Sequence, residues 1–449
     1  MTAEQTPRPT RSPTGRLVRE AQHIARLAFP IVVSLAAAAL IGVVDTVMVA
    51  PLGTLPLAAV SITTSALIVF YSALFGFVSA IGVRMAEAFG KSNDQELITT
   101  TWIALVVALG VGTLGTLMML AVRPALSWIG QPTEVLDLLG GYWVSMSLLL
   151  VPFTIFYALK ALFDAIDRPW IGVGLAFFAV ACNVPANYVL IHGVWGWPGL
   201  GLVGAGIASL ISQAASLVLA FMILRRWKTR WSVASHSGFD WLELRTQLKE
   251  GSVISLGYLG EGAAYAVAGL MLGWFGAAAL AAHQIVSSVS DVIYMVPLGI
   301  SIAISIRVAQ AIGANERERL RPIVLASLLV VVSWMSLVII GILVGREQVA
   351  RGLSEDADVI ALAVSMFLVI AAMQIADGVQ GTMLGVFRGM TDNRIPVVIT
   401  LFSYWVIALP VGYVLGFVFD WGPNGVWIGY GTGLGLAAIA LSYRFFSRV

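Results

Sequence analysis

The sequence predicts an all-α integral membrane protein in which twelve transmembrane helices form two pseudo-symmetric six-helix lobes, a parallel repeat, around a central cleft. Three observations lead to this fold class. The chain of 449 residues is 59% hydrophobic and only 11% charged, whereas a soluble domain carries about a quarter charged residues. It contains twelve apolar runs long enough to cross a bilayer. Its two halves also resemble each other.

The apolar runs are long enough for helices and too long for barrel strands. A spanning helix needs about 20 residues, whereas a barrel strand needs about 9–11 residues of alternating polarity. The predicted spans are residues 27–50, 57–83, 98–121, 138–162, 170–192, 202–224, 252–275, 281–306, 322–344, 359–387, 395–419 and 425–446.

Basic residues separate cleanly between the two sides that these spans create. Of the 26 Lys and Arg residues, all but Arg123, Arg346 and Arg351 fall on the side that carries both termini. Loops rich in Lys and Arg stay in the cytoplasm. The sequence therefore predicts that both termini are cytoplasmic, and one missing or extra helix would destroy this separation.

The two halves of the chain are copies of one another. A shift of 223 residues aligns 48–90 with 271–313 without gaps, and sixteen positions are identical, including Gly53/Gly276 and Arg84/Arg307. Six spans separate equivalent positions, so both copies have the same orientation in the membrane. Such parallel repeats form transporter folds in which the substrate site lies between the repeats, near the midplane.

The repeat and the charge pattern divide the chain into four segments. Residues 1–20 are polar and Pro-rich and are predicted to be a disordered cytoplasmic tail. We expect the N-terminal lobe at 21–224, a basic cytoplasmic linker at 225–250 and the C-terminal lobe at 251–449. Within the linker, Asp240 is a candidate cap for a short interfacial helix.

Three acidic residues stand inside apolar spans: Asp45, Glu261 and Asp377. A carboxylate at the bilayer centre costs roughly 2.5–3.5 kcal/mol on insertion scales, so such residues usually mark ion or substrate pathways. Glu261 and Asp377 are each about 15 Å deep, judged from the rise per helical residue. Both belong to the C-terminal lobe and are candidates for one site, whereas Asp45 is alone in the N-terminal lobe.

Several separated segments resemble the MATE family of multidrug and toxic compound extrusion proteins, in its NorM-type branch. They are DTVMVAPLGTLPLAAV (45–60), LAAHQI (280–285), MVPLGISIAISIRVAQAIGAN (295–315) and GVFRGMTDNRIP (385–396). The resemblance covers nearly the whole chain beyond about residue 20. It implies antiport, in which sodium ions or protons flow in and organic cations flow out.

The resemblance also implies roles for individual residues. The branch pairs an N-lobe aspartate with a C-lobe glutamate and aspartate, which correspond to Asp45, Glu261 and Asp377. An aromatic residue four positions after the glutamate helps to hold the cation, and Tyr265 stands there. The aromatic residue often found four positions before the second aspartate is replaced by Met373. The positions near the bound drug correspond to three further residues: Tyr294, Glu355 and Asp356.

The chemistry of the two C-lobe acids agrees with this function. Two carboxylates in a dry site cannot both stay charged cheaply, so one takes a proton or both share a metal cation. Glu261 and Asp377 are therefore a candidate Na⁺ site, with Gln374 and Gln380 as further oxygen donors. No cofactor is expected besides the coupling ion. If cation and cargo compete for the same charge, the inward cation gradient drives cargo outward.

Other interpretations of these residues remain open at this level. Glu261 and Asp377 could anchor helix packing through hydrogen bonds, and Asp45 could serve as a structural cap. Gln284 and Asp291 are seven residues apart and share a helix face. Lining of the cleft and simple interhelical bonding are equally good interpretations of that pair.

Other classes of protein fit less well. The segment FGKS (89–92) lacks the first glycine of a phosphate-binding loop, because Met85 stands there, so ATP hydrolysis is not expected. Four scattered histidines and one cysteine give no catalytic constellation, so we do not expect an enzyme. The alternative function is a lipid-linked oligosaccharide flippase of related architecture, but its cavity should be basic in order to hold pyrophosphate.

The sequence therefore predicts a cation-coupled exporter of organic cations and drugs that works by alternating access between the lobes. By resemblance we expect it in the plasma membrane, the inner membrane of a bacterium, as a multi-pass protein. The expected partners are the cargo and the lipid bilayer, with no nucleic acid and no ATP. We expect a monomer.

Overall fold

The computed structural model describes residues 13–128, 133–194, 198–226 and 239–448. These residues contain twelve helices that are long and apolar enough to cross a membrane, which confirms the predicted fold class. In chain order, α1 to α12 are Pro13–Val49, Thr54–Gly90, Asp94–Val122, Thr133–Ala165, Pro169–His192, Leu202–Arg226, Trp241–Gly273, Ala277–Gly313, Leu320–Leu353, Ala357–Gly389, Arg394–Val418 and Gly422–Phe446.

The first helix begins earlier than the sequence suggested. Residues 13–20 of the predicted disordered tail are helical, and the remainder of that tail lies outside the described residues. Pro13 suits the first helical position, where its missing N–H is not needed. Glu20 anchors this turn, because its carboxylate accepts from Arg307 at 3.2 Å and from Arg319 at 2.8 Å.

The seventh helix also differs from the expectation. Asp240 is a cap, as predicted, since its Oδ1 accepts from the backbone N–H groups of Leu242 (2.9 Å) and Glu243 (3.0 Å). The helix it caps is α7 itself, which continues without a break to Gly273 rather than ending as a short interfacial helix. Residues 227–238 of the predicted linker lie outside the described part of the chain.

The two halves of the chain, α1–α6 and α7–α12, meet in a pseudo-symmetric way. Helix α2 packs against both α7 and α8, while α8 packs against both α1 and α2. Helix α1 contacts α9, and α3 contacts α7. Because α7, α8 and α9 are the repeat equivalents of α1, α2 and α3, these contacts are related by the same two-fold operation.

The halves approach closely at the face where α1 begins and α12 ends, called here the terminal face. A Cβ added at Gly90, the last residue of α2, would lie 2.2 Å from the carbonyl oxygen of Gln310 on α8. A Cβ added at Gly313, the last residue of α8, would lie 2.1 Å from the carbonyl oxygen of Glu87 on α2. Both contacts involve backbone, so only glycine fits, and the two glycines are repeat equivalents.

Candidate functional site

One cavity of about 780 Å³ lies between the two halves, on the side away from the terminal face. It is lined by helices α1, α2, α4 and α6 of the first half and by α7, α8, α10 and α12 of the second half. Seven of the candidate site residues line it, namely Asp45, Glu261, Tyr265, Asp291, Tyr294, Gln374 and Asp377, and so does Met373. The structure therefore brings the acids of both halves to one space.

Four other candidates lie outside this lining. Gln284 is exposed, and its amide nitrogen is 3.4 Å from the Ser288 hydroxyl on the same helix. Glu355 and Asp356 are exposed at the start of α10. Asp356 caps that helix, because its Oδ1 accepts from the backbone N–H groups of Asp358 and Val359 at 2.9 and 3.3 Å. Gln380 is 1% exposed and is buried within the helix packing.

Asp45 is held by amide and hydroxyl donors from two neighbouring helices. Asn187 and Asn183 of α5 donate to its Oδ1 at 2.6 and 3.1 Å, and Ser209 of α6 donates to its Oδ2 at 2.6 Å. Asp45 is 6% exposed, and both asparagines are fully buried. Three neutral donors stabilise a carboxylate without cancelling its charge. Asp45 therefore lines the cavity as a buried carboxylate whose hydrogen-bond donors are all uncharged.

The donors to Asp45 were missed by sequence reasoning, although a signal was present. Asn183 and Asn187 are four residues apart inside an apolar run, so they lie on one helix face. Buried amides at this spacing require polar partners. The spacing predicts a shared partner, but only the packing of α1 against α5 identifies it as Asp45.

Glu261 is positioned by an irregular stretch of α11. Residues 403–408 form a wider π-helical turn just before Pro410, and such turns are frequent at functional sites. Within it, the Tyr404 hydroxyl donates to Glu261 Oε1 at 2.9 Å. The neighbouring Trp405 donates through Nε1 to the Gly260 carbonyl at 3.0 Å. Two consecutive side chains of α11 therefore hold the Glu261 region of α7.

Asp377 of α10 faces the same cavity and is half-buried. In the part of the chain that the structure describes, its carboxylate accepts no hydrogen bond. Nor does any group of three or more His, Cys, Asp or Glu residues come together among the described residues to hold a metal ion. A cation held by Glu261 and Asp377 would therefore need neutral oxygen donors; Gln374 lines the same cavity, and the Tyr404 hydroxyl is bonded to Glu261.

Aromatic rings form two walls of the cavity. In the second half, the Tyr265 ring lies 5.9 Å from Trp427 and 5.8 Å from Tyr430 between centroids, both edge-on. In the first half, Phe153 stacks on Tyr71 with ring centroids 4.3 Å apart and lies tilted against Tyr157 at 4.5 Å. Ring faces attract organic cations. Of these residues, only Tyr265 was singled out from the sequence, because aromatic residues in spans also serve many packing roles.

The cavity breaks the symmetry of the repeat. Glu261 has Ala38 as its repeat equivalent, and Ala38 also lines the cavity. Asp45 has Ala268 as its equivalent, which is 5% exposed and outside the lining. The halves therefore present different charged groups to one space.

The twelve spanning helices of the described ranges, around a central cavity with carboxylates from both halves, define a multi-pass membrane protein of the transporter class. The MatE family model matches residues 30–189 and 254–414, once in each half, so the chain belongs to the MatE family. The family recognised in the sequence is thereby confirmed.

Relatives named probable multidrug resistance protein NorM match nearly the whole chain. The one from Bradyrhizobium diazoefficiens is 30% identical, over 96% of this chain and 94% of its own. The one from Synechocystis is 31% identical, over 95% and 94%. None of these names describes an enzyme.

Solved structures share the fold. The Vibrio cholerae MATE transporter VcmN in its bent form gives a TM-score of 0.86 at 18% identity, covering 96% of this chain and 98% of that one. A MOP superfamily transporter from Pyrococcus furiosus gives 0.85 at 19% identity, covering 96% and 97%.

Proposed function

We propose that this chain is a cation-coupled antiporter that exports organic cations, including drugs, by alternating access between its two halves. The observation that carries the proposal is the cavity that Asp45, Glu261 and Asp377 line together, with its aromatic walls. Negative charge attracts an inorganic cation and a cationic cargo alike, and ring faces favour the delocalised charge of the cargo. The names of the NorM relatives support drug efflux.

Antiport follows if the two kinds of cation compete for the same carboxylates. A sodium ion or proton bound at Glu261 and Asp377 would weaken binding of the cargo by the same factor as cargo weakens binding of the ion. Export then requires that the cavity face each side of the membrane in turn. Since one chain forms the entire cavity, we propose that a monomer suffices.

The orientation follows from the charge pattern. Of the Lys and Arg residues that the structure describes, all but Arg123, Arg346 and Arg351 lie towards the terminal face, so we propose that this face is cytoplasmic and that the protein lies in a bacterial inner membrane. In the present conformation the halves are in contact at that face. Cargo would therefore leave from this conformation towards the outside.

The cavity lining argues against the flippase alternative. Among the described residues, the lining contains Asp and Glu but no Lys, Arg or His. A pyrophosphate-linked cargo would meet only negative charge there, whereas a cationic cargo would be attracted.

The proposal is tested by uptake of a fluorescent organic cation into everted vesicles, with sodium and pH gradients imposed separately. We expect wild-type uptake to follow one of the gradients and to fall at least tenfold in Glu261→Gln and in Asp377→Asn. Glu347→Gln is the matched control, because Glu347 is exposed and pairs only with Arg351 on its own helix. Full gradient-driven uptake in both cavity variants would refute the proposed site.

A further inference from the structure

Arg388, near the end of α10, is a buried guanidinium whose partners are all neutral. It is 6% exposed. It donates to the Tyr258 hydroxyl, to Ser301 Oγ at 2.5 Å, to Ser79 Oγ at 3.2 Å and to the Leu384 carbonyl at 3.3 Å. Across the described ranges no carboxylate forms an ion pair with it. Hydroxyl and carbonyl oxygens satisfy its N–H groups but leave its charge uncompensated.

A small cavity connects this charge with the acidic site. The cavity has a volume of about 40 Å³ and is lined by Arg388, Tyr258, Glu261, Asn393 and Thr400 among others. Tyr258 and Glu261 also line the large cavity. Arg388 therefore lies behind Glu261, on the side towards the terminal face, and Glu261 is the carboxylate that lines both cavities, with Asp377 beside it in the larger one.

At the equivalent position in the first half, two buried charges form an ion pair with each other. The segments FDAID (163–167) and FRGMT (387–391) end α4 and α10, and both finish on a residue with positive φ, Asp167 at 60° and Thr391 at 55°. This alignment puts Asp164 where the second half has Arg388. Asp164 is paired with Lys160 at 2.8 Å, both buried. Among the described residues, the buried charges of the first half are paired at this level, whereas Arg388 of the second half forms no ion pair and has two acids above it.

We propose that Arg388 is the internal counter-charge of Glu261 and Asp377 and limits that site to one monovalent cation at a time. This inference rests on the proposed antiport. Two carboxylates carry two negative charges, and the guanidinium leaves a net charge of one. One sodium ion, one proton or one singly charged cargo then neutralises the site. Competition between coupling ion and cargo follows from this charge balance.

Removing the positive charge gives a specific expectation. In Arg388→Gln the site has two net negative charges, so it should bind the coupling cation more tightly and accept cargo and cation together. We expect at least tenfold tighter binding of the coupling cation in purified protein, measured by calorimetric titration with Na⁺ alone or by proton uptake. Displacement of that cation by cargo should weaken correspondingly. Arg388→Lys keeps the charge and should resemble wild type.

Two controls separate the role of charge from a structural role. Ser79→Ala removes the hydrogen bond between Arg388 and the first half but keeps the guanidinium. Arg444→Gln removes a basic residue that pairs with Asp392 at 2.6 Å, away from the cavity. Both should bind the cation within about twofold of wild type. If Ser79→Ala reproduces the effect of Arg388→Gln, the role is structural and the proposal is wrong.

A double variant tests the same charge balance at the net charge of the wild type. Glu261→Gln alone leaves one carboxylate opposite one guanidinium, so cation binding should fall at least tenfold. Glu261→Gln with Arg388→Gln restores one net negative charge and should recover most of that loss. Failure to recover, or unchanged affinity in Arg388→Gln, overturns the inference. If the wild type itself binds neither Na⁺ nor protons, the proposed antiport fails instead.

Discussion

Arg84 of α2 reaches across the interface between the halves and donates to Glu243 of α7 at 2.6 Å. The repeat equivalents of Arg84 and Glu243, 223 residues away, are Arg307 and Glu20. These two residues form an ion pair at 3.2 Å across the same interface. Each half thus supplies one arginine and one glutamate to the other. These four residues, called here the reciprocal latch, lie at the terminal face, and their side chains are 9% to 21% exposed.

Breaking the reciprocal latch should favour separation of the halves at the terminal face. Arg84→Gln combined with Arg307→Gln should destabilise the closed conformation by roughly 2 kcal/mol, between the values typical of exposed and buried ion pairs. Spin labels attached after Ser92→Cys and Asn315→Cys, in a Cys182→Ala background, should show a distance distribution shifted to longer distances. Arg444→Gln, which breaks a pair within the second half, should leave the distances unchanged. Equal distances in the latch variant would contradict the prediction.

The close helix contact at the terminal face should tolerate no side chain. Gly90→Ala and Gly313→Ala each place a methyl group about 2 Å from a backbone carbonyl oxygen, so they should push α2 and α8 apart and lengthen the same label distance. Gly110→Ala on α3 meets nothing within 4 Å. It should be neutral or stabilising by up to about 1 kcal/mol, because alanine favours helix. Thermal unfolding in detergent measures stability alongside the distances.

The Asp45 cluster should behave as one energetic unit. Asn187→Ala removes a 2.6 Å hydrogen bond from a buried carboxylate and should reduce stability by about 1–3 kcal/mol. In an Asp45→Asn background the same change should cost less, because no charge is left unsatisfied. Ser336→Ala, whose hydroxyl bonds only to the Val332 carbonyl of its own helix, is the control. Additive effects in thermal unfolding would show that Asn187 acts independently of Asp45.

The face of the Tyr265 ring should contribute to the binding of a cationic cargo. Tyr265→Leu should weaken binding of an organic cation by about threefold to thirtyfold, the range expected for a cation–π contact. Tyr265→Phe keeps the ring and loses only the hydroxyl that donates to Ser287 at 2.9 Å, so binding should stay close to wild type. A neutral analogue of the same shape should respond little to either change. A similar loss for the neutral analogue would assign the effect to packing.

The sequence by itself determined the architecture, because a bilayer leaves few choices. Backbone groups cannot be left unbonded in lipid, so apolar runs of this length must be helices. The number of apolar runs gives the number of helices, and the position of the basic residues between them gives the orientation in the membrane. Repetition of Gly53 at Gly276 reflects a shared backbone requirement, since both have positive φ, 112° and 105°, before α2 and α8. The acids inside the spans were recognisable because charge in lipid is expensive.

The tertiary structure decided which of those residues meet. Asp45 and Asp377 are far apart along the chain and on different halves, yet both line one cavity. Gln284 was expected to share a face with Asp291, but only Asp291 lines the cavity. The partners of each acid, such as Asn187 and Tyr404, depend on which helix packs beside it and at what rotation. Spacing within one helix carries no information about that rotation, so these contacts, like the reciprocal latch and the placement of Arg388 behind Glu261, come only from the packed molecule.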